Sequence, residues 1–307
     1  MIEHKLLKLR QNLPLKIKEG YTANRIRSWY EHFNGQVYVS FSGGKDSTVL
    51  LDQVRNLYPD VPAVFVDTGL EYPEIRDFVK TIDNVEWIKP KKNFKQVIKK
   101  YGYPVVSKKI AMGVSRYRNT KSGLQKELRL NGGICPSSGK TQHPTISKKW
   151  HFLIHAPFKI SEQCCDIMKK QPIKAYCRKT SRTAFVGTMA SDSRIREQNY
   201  LKNGCSSFNR AAGAISTPMA FWLEKDIWAY IKEHDLSYSK IYDMGFDRTG
   251  CMFCMFGMHM EKGENRFDRM KRTHPSQYKY CMDNLGLRKV INYVQDEDKL
   301  TLFGDMA

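Results

Sequence analysis

The stretch VYVSFSGGKDSTVL, residues 37–50, restricts the possible folds more than any other part of the chain. An apolar run suited to a buried strand ends at two glycines, and helix-compatible residues follow at once. A strand–glycine turn–helix directs the unpaired amides and partial positive charge of a helix N-terminus at one point, which makes a cradle for an anion. Gly43 and Gly44 let the backbone approach that anion closely. Lys45 adds a point charge, and Ser42 and Ser47 offer hydroxyl hydrogens. Asp46 is the odd member, because a carboxylate repels phosphate unless it caps the helix or a magnesium ion mediates. The turn is not a Walker A loop, which would need glycine at Val39 and a hydroxyl residue at Asp46.

PAVFVDTG (62–69) and NVEWIKP (84–90) read as further strands, and TAFVGTMASDS (183–193) as a strand running into a turn. Strands alternating with helical text predict an α/β fold with a doubly wound parallel sheet. Residues 1–35 read as a helical arm with Leu6, Leu7, Leu9, Leu13 and Ile17 on one face. Residues 36–240 then form the α/β domain, and 241–307 a cysteine-bearing helical region. NGGICPSSGKTQHP (131–144) reads as a loop.

Lys and Arg number 51 against 31 Asp and Glu, a formal charge of +20. From Lys89 to Arg129 there are thirteen basic residues and one acid, Glu127. A solvated basic face is the plain reading. The stronger expectation is a nucleic-acid partner, since neutralising phosphates releases condensed counterions. No apolar run approaches the ~18 residues of a membrane span, and the first twenty residues are too charged for a signal peptide. The eight cysteines then fit a reduced, cytoplasmic chain that uses clustered thiols for metal or chemistry. A homo-oligomer is compatible with everything in the sequence.

Cys164 and Cys165 are adjacent, and Cys251 and Cys254 form a C-x-x-C pair. By residue type alone, zinc, a redox pair and chance all remain open, although an adjacent pair is awkward for tetrahedral zinc. Cys177 and Cys281 lie in helical text and read as small packing residues. Cys135 and Cys205 lie in Gly/Ser loops beside basic residues, where a thiolate is stabilised, and each is a candidate persulfide carrier.

SGGKDS resembles the signature of the PP-loop ATP pyrophosphatases, the adenine nucleotide α-hydrolase superfamily. The resemblance implies that the β,γ-pyrophosphate of ATP, with Mg2+, sits on Ser42–Ser47 and that attack falls on the α-phosphate. VFVDTGLEYPEI is similar to a turn of the sulfonucleotide reductase branch, which implies that Asp67, Thr68 and Gly69 lie near the nucleotide. VGTMASDSRIR resembles that branch's glycine strand and arginine-bearing turn, with Gly187 at its start. Many relatives have Arg where Met189 stands, so Arg194 or Arg196 must reach the phosphates. Cys164, Cys165, Cys251 and Cys254 match the pattern of assimilatory adenylylsulfate reductases, which implies one [4Fe–4S] cluster.

The Glu-Cys-Gly-Ile-His motif of those reductases is absent, and no cysteine follows Cys281. Without that nucleophile, the closest likeness is to DNA phosphorothioation sulfurtransferases, in TGCMFCMFGMHMEKGENRFDRMKRTHP above all. The expectation is an ATP-dependent sulfurtransferase that adenylylates DNA or tRNA and takes sulfur from a cysteine desulfurase or another donor. Lys45, Asp46 and Cys205 are its candidate catalytic residues. The alternatives are a reductase of adenylylsulfate or phosphoadenylylsulfate making sulfite, and a binding module with a degenerate nucleotide site and a structural metal.

Overall fold

Val37, Tyr38, Val39 and Phe41 are all buried, so the first strand has no solvent face. That pattern belongs to the middle of a parallel sheet covered on both sides by helices. The computed structural model describes residues 2–141, 145–208 and 213–296. In chain order, α1 (His4–Gln11) and α2 (Leu15–His32) precede β1 (Val37–Phe41), α3 (Lys45–Arg55), β2 (Ala63–Val66), α4 (Pro73–Lys80) and β3 (Val85–Ile88). Next come α5 (Phe94–Tyr101), β4 (Val105–Val106), α6 (Lys108–Asn119), α7 (Gly123–Asn131), β5 (Ile134–Cys135) and β6 (Lys140–Thr141). They are followed by α8 (Gln171–Thr180), β7 (Thr183–Val186), α9 (Arg194–Asn203), β8 (Ser206–Ser207), β9 (Ile215–Ser216) and α10 (Glu224–Glu233). The last elements are β10 (Met255–Phe256), α11 (Arg266–Thr273), α12 (Pro275–Lys279) and α13 (Leu287–Val294).

Two compact units are interleaved along the chain, whereas the sequence reading cut it into contiguous pieces at 35 and 240. Residues 1–67, 71–89 and 172–249 form the first, and 68–70, 90–171 and 250–307 the second. The first unit holds a six-stranded sheet of order β3-β2-β1-β7-β9-β8. Every pairing in it is parallel except β8 with β9. From β1 the chain builds outward to β2 and β3, then returns to place β7 on the other flank of β1. The carboxyl end of β1 is therefore a topological switch point, where open α/β sheets bind ligands. The glycine turn occupies that end.

The N-terminal arm departs from the sequence expectation. Leu7 is buried, but Leu6, Leu9 and Ile17 are 38%, 63% and 48% exposed. Pro14 separates α1 from α2 and breaks the helical phase, so a face counted through it is not continuous. The side of α2 that packs inward carries Lys18, Thr22, Ile26 and Trp29. Lys18 Nζ donates to Asp226 Oδ2 at 2.5 Å and to the Gln11 carbonyl at 2.8 Å, with no solvent exposure. Asp226 also accepts from the Leu223 amide, and Trp222 Nε1 donates to Thr22 at 2.9 Å. These polar contacts fix α1 and α2 to α10.

In the second unit the expected loop at 131–144 contains a short antiparallel hairpin, β5 with β6, while residues 142–144 lie outside the described chain. β4 pairs in parallel with β10, Val105 opposite Met255. Most of the basic segment is solvated: Lys91, Lys95, Lys99, Lys100, Lys108 and Lys109 are exposed. Arg118 instead points inward and donates to the carbonyls of Leu153, Ile154, Ala156 and Phe158. Arg129 is buried as well.

Removing one partner of the Lys18–Asp226 pair leaves a buried charge uncompensated. Lys18→Ala is expected to lower stability by about 3–5 kcal/mol in urea denaturation, and Lys18→Met with Asp226→Leu to recover most of it. A loss below about 1 kcal/mol would class the pair with solvated surface bridges.

Candidate functional site

Three backbone segments meet at the glycine turn, and each glycine is demanded by a different neighbour. Gly43 has φ +71°, and a Cβ there would lie 2.7 and 2.8 Å from methyl groups of Val79 and Ile75 on α4. A Cβ at Gly44 would stand 2.6 Å from Thr249 Oγ1 and 3.2 Å from Tyr242 Oη. One at Gly187, just after β7, would meet the Asp46 carbonyl oxygen at 2.8 Å. The two turn glycines thus make room for protein as well as for an anion. The turn is held internally, since Ser47 Oγ accepts from the Ser42 amide at 3.2 Å and donates to the Gly44 carbonyl at 2.8 Å.

A cavity of about 310 Å³ opens on this turn, with Ser42, Gly44, Lys45, Asp46 and Ser47 in its wall together with Gly187. Arg196 and Arg248 bring positive charge to it, and Asp192 and Glu224 stand in the same wall. Arg194 does not line it. Both arginines begin α9, and two residues apart on a helix means about 200° of rotation, so only one can face the cavity. Arg196 is ion-paired to Asp192, whose carboxylate also accepts from the Met189 amide.

Asp46 Oδ1 is buried in this wall and accepts no hydrogen bond. Burial pushes the Asp46 carboxyl up, and Asp192 and Glu224 act in the same direction, against Lys45 and Arg196. A carboxylate oxygen so placed lacks a hydrogen-bond donor, and its nearest cation, Lys45 Nζ, stands 4.0 Å away. Lys45 is turned away from it: Nζ donates to the Asp247 carbonyl at 2.8 Å and lies 3.2 Å from Glu224 and 4.0 Å from Asp46. The rings of Tyr242 and Trp228 lie 5.1 and 5.8 Å from that ammonium.

Asp67, at the end of β2, is buried and pairs with Arg76 at 3.0 Å and Lys89 at 3.9 Å. Thr68 and Gly69 belong to the second unit, where Thr68 Oγ1 accepts from the Leu70 amide at 3.2 Å and Gly69 has φ +74°. Cys205 lines a neighbouring cavity of about 230 Å³ whose wall includes Arg196. Burial pushes its thiol up to about 11, although Arg25 and Arg10 oppose. Cys135, in the second unit, goes the other way: hydrogen bonds from Ser137 and Ser138 bring it down to about 7.

The four paired cysteines all belong to the second unit. Cys164 and Cys165 lead into a π-helical turn, Asp166–Lys170, and Cys254 directly precedes β10. Burial pushes Cys164 up, as do the like charges of Cys251, Cys165 and Cys254. Cys254 is raised by burial too, with Cys165 adding to it and Arg266 and Lys169 opposing. The other three cysteines thus lie near enough to Cys164 to oppose its ionisation. Among the described residues no group of three or more His, Cys, Asp or Glu is arranged to hold a metal ion.

Sequence reasoning did not find Tyr242, Arg248, Thr249 or Glu224. They reach the turn from about two hundred residues downstream; Thr249 opens the cysteine-bearing segment, and the other three lie in loop and helix text with no motif of its own.

The phosphoadenosine phosphosulfate reductase domain matches residues 36–109 and 119–256. An uncharacterized protein of Methanocaldococcus jannaschii is 28% identical over 281 residues, covering 89% of this chain and 53% of that protein. An adenosine 5′-phosphosulfate reductase of Staphylococcus epidermidis is 24% identical over 237 residues, 76% of each chain. This chain spans about half the length of the archaeal relatives it matches. A phosphoadenylyl-sulfate reductase from Candida auris, solved as a phosphate complex, is similar in structure at 14% identity, with a TM-score of 0.45 over 82% of this chain and 96% of that one.

The two loop thiols should separate on alkylation. At pH 8 a thiol near 7 is mostly thiolate, while one near 11 is ionised to about a thousandth. Both side chains are buried, so the contrast is one of ionisation: iodoacetamide with peptide-level mass spectrometry should modify Cys135 faster than Cys205, with a rate levelling off above about pH 8. Equal rates would reverse the assignment.

Proposed function

The chain belongs to the phosphoadenosine phosphosulfate reductase domain family, and from that premise we propose that it is an ATP-dependent sulfurtransferase acting on nucleic acid. The observation that carries this reading is the Asp46 oxygen without a hydrogen-bond donor, in the wall of a cavity that Arg196 and Arg248 line together with Asp192 and Glu224. A carboxylate beside phosphates is repulsive unless a divalent cation bridges them, so the site suits magnesium with a triphosphate. Mg2+ supplies charge neutralisation there, and Asp46 would hold it.

The turn amides and the hydroxyls of Ser42 and Ser47 would bind the β,γ-phosphates, with Arg196 and Arg248 adding charge. A substrate oxygen attacks the α-phosphorus, the bond to the β-phosphate bridging oxygen breaks, and pyrophosphate leaves. The terminal sulfur of a persulfide donor, such as a cysteine desulfurase, then displaces AMP. The mixed disulfide so formed is opened by a thiol, which leaves sulfur on the product. Positioning and charge stabilisation carry most of the acceleration.

Cys164, Cys165, Cys251 and Cys254 would be the ligands of a [4Fe–4S] cluster, and a cationic centre there would relieve the like charges that oppose ionisation of Cys164. Such a cluster supplies sulfur-binding or electron-transfer chemistry. The solvated lysines of α5 and α6 give the second unit a surface for the polyanion.

In anaerobic preparations, pyrophosphate release from ATP should rise with nucleic acid and fall with increasing salt. Asp46→Asn should cut it by about a hundredfold or more. Cys164→Ser should lose iron and sulfide without losing ATP binding. Sulfite formed from a sulfonucleotide and a thiol reductant, with no ATP needed, would establish the reductase reading instead.

A further inference from the structure

The amide that heads the anion cradle already has an acceptor. Lys45 N–H donates to Tyr242 Oη at 2.8 Å, the position of a phosphoryl oxygen bound at a helix N-terminus. Tyr242 is hydrogen-bonded to Thr249, the side chain that presses on Gly44. Lys45 Nζ is in turn held by the Asp247 carbonyl and lies over the Tyr242 ring. Residues 242–249 are thus fastened at three points to two consecutive residues of the turn. The Tyr242 ring meets Trp228 edge-on at 5.5 Å, which fixes its direction. Burial pushes its phenol up, so the oxygen remains a neutral hydroxyl.

We propose that Tyr242 is a positioning residue of the triphosphate site, its hydroxyl and a phosphoryl oxygen competing for the one Lys45 amide hydrogen. This rests on the triphosphate reading above and adds to it a basis for selection. A phosphoryl oxygen carries charge and suits the positive end of α3 better than a neutral phenol does, so a phosphate-bearing ligand displaces Tyr242. A neutral nucleoside has nothing to offer the amide and leaves Tyr242 in place. Because Thr249 and Asp247 are tied to the same two residues, displacement also loosens the 242–249 strap and frees Lys45 from the Asp247 carbonyl.

Tyr242→Phe removes the competing oxygen and keeps the ring against Trp228. Titration calorimetry of the full chain should show a nonhydrolysable ATP analogue and inorganic pyrophosphate binding about fivefold more tightly to the variant, the worth of one net hydrogen bond. Adenosine affinity should not change, which separates the effect from a general loosening of the fold. Thr249→Val, which removes the partner of Tyr242, should shift pyrophosphate affinity in the same direction and serves if the first variant does not fold. Unchanged or weaker pyrophosphate binding in both variants overturns the competition while leaving the nucleotide site standing. A wild-type chain that binds neither the analogue nor pyrophosphate overturns the triphosphate reading, and this inference with it.

Discussion

Close backbone approach at the end of β1 is the constraint on which the rest of the first unit depends. Side chains beyond hydrogen at Gly43, Gly44 or Gly187 would strike α4, Thr249 and the Asp46 carbonyl respectively. With hydrogens there, α3 can start directly at the switch point of the sheet and present its N-terminus to one small cavity. The sheet order decides where that N-terminus points, and the glycines decide that anything can reach it.

Charge then sorts the residues around the turn into two kinds. Lys45, the residue most easily taken for a phosphate ligand, is surrounded by Glu224, the Asp247 carbonyl and two aromatic rings, and its ammonium works on protein. The cavity takes its positive character from Arg196 and Arg248 and its oddity from Asp46. The second unit repeats the theme with thiols: burial and neighbouring cysteines make Cys164 and Cys254 costly to ionise, and Lys169 and Arg266 partly offset this.

Much of this was readable in advance where the signal was local. β1, α3, β2, β3 and β7 follow from apolar runs and glycine breaks, and Arg118 and Arg129 apart, the basic segment is as solvated as its composition implied. Other positions take their surroundings from packing that no local pattern shows. Pro14 broke the phase on which the face of Leu6, Leu9 and Ile17 was counted. Arg194 and Arg196 look equivalent in a string of letters and lie on opposite sides of a helix. Cys135 and Cys205 sit in similar loop text, yet hydroxyl donors lower one thiol and burial raises the other.

The sequence by itself determined the anion cradle, because a strand, a glycine turn and a helix start are set by neighbours a few residues apart. Only the tertiary structure decided what covers the cradle and which charges face it. Tyr242, Thr249 and Arg248 arrive from the far end of the first unit, and Lys18 meets Asp226 across more than two hundred residues. Contacts of that span depend on how whole elements pack, and no local pattern of residues encodes them.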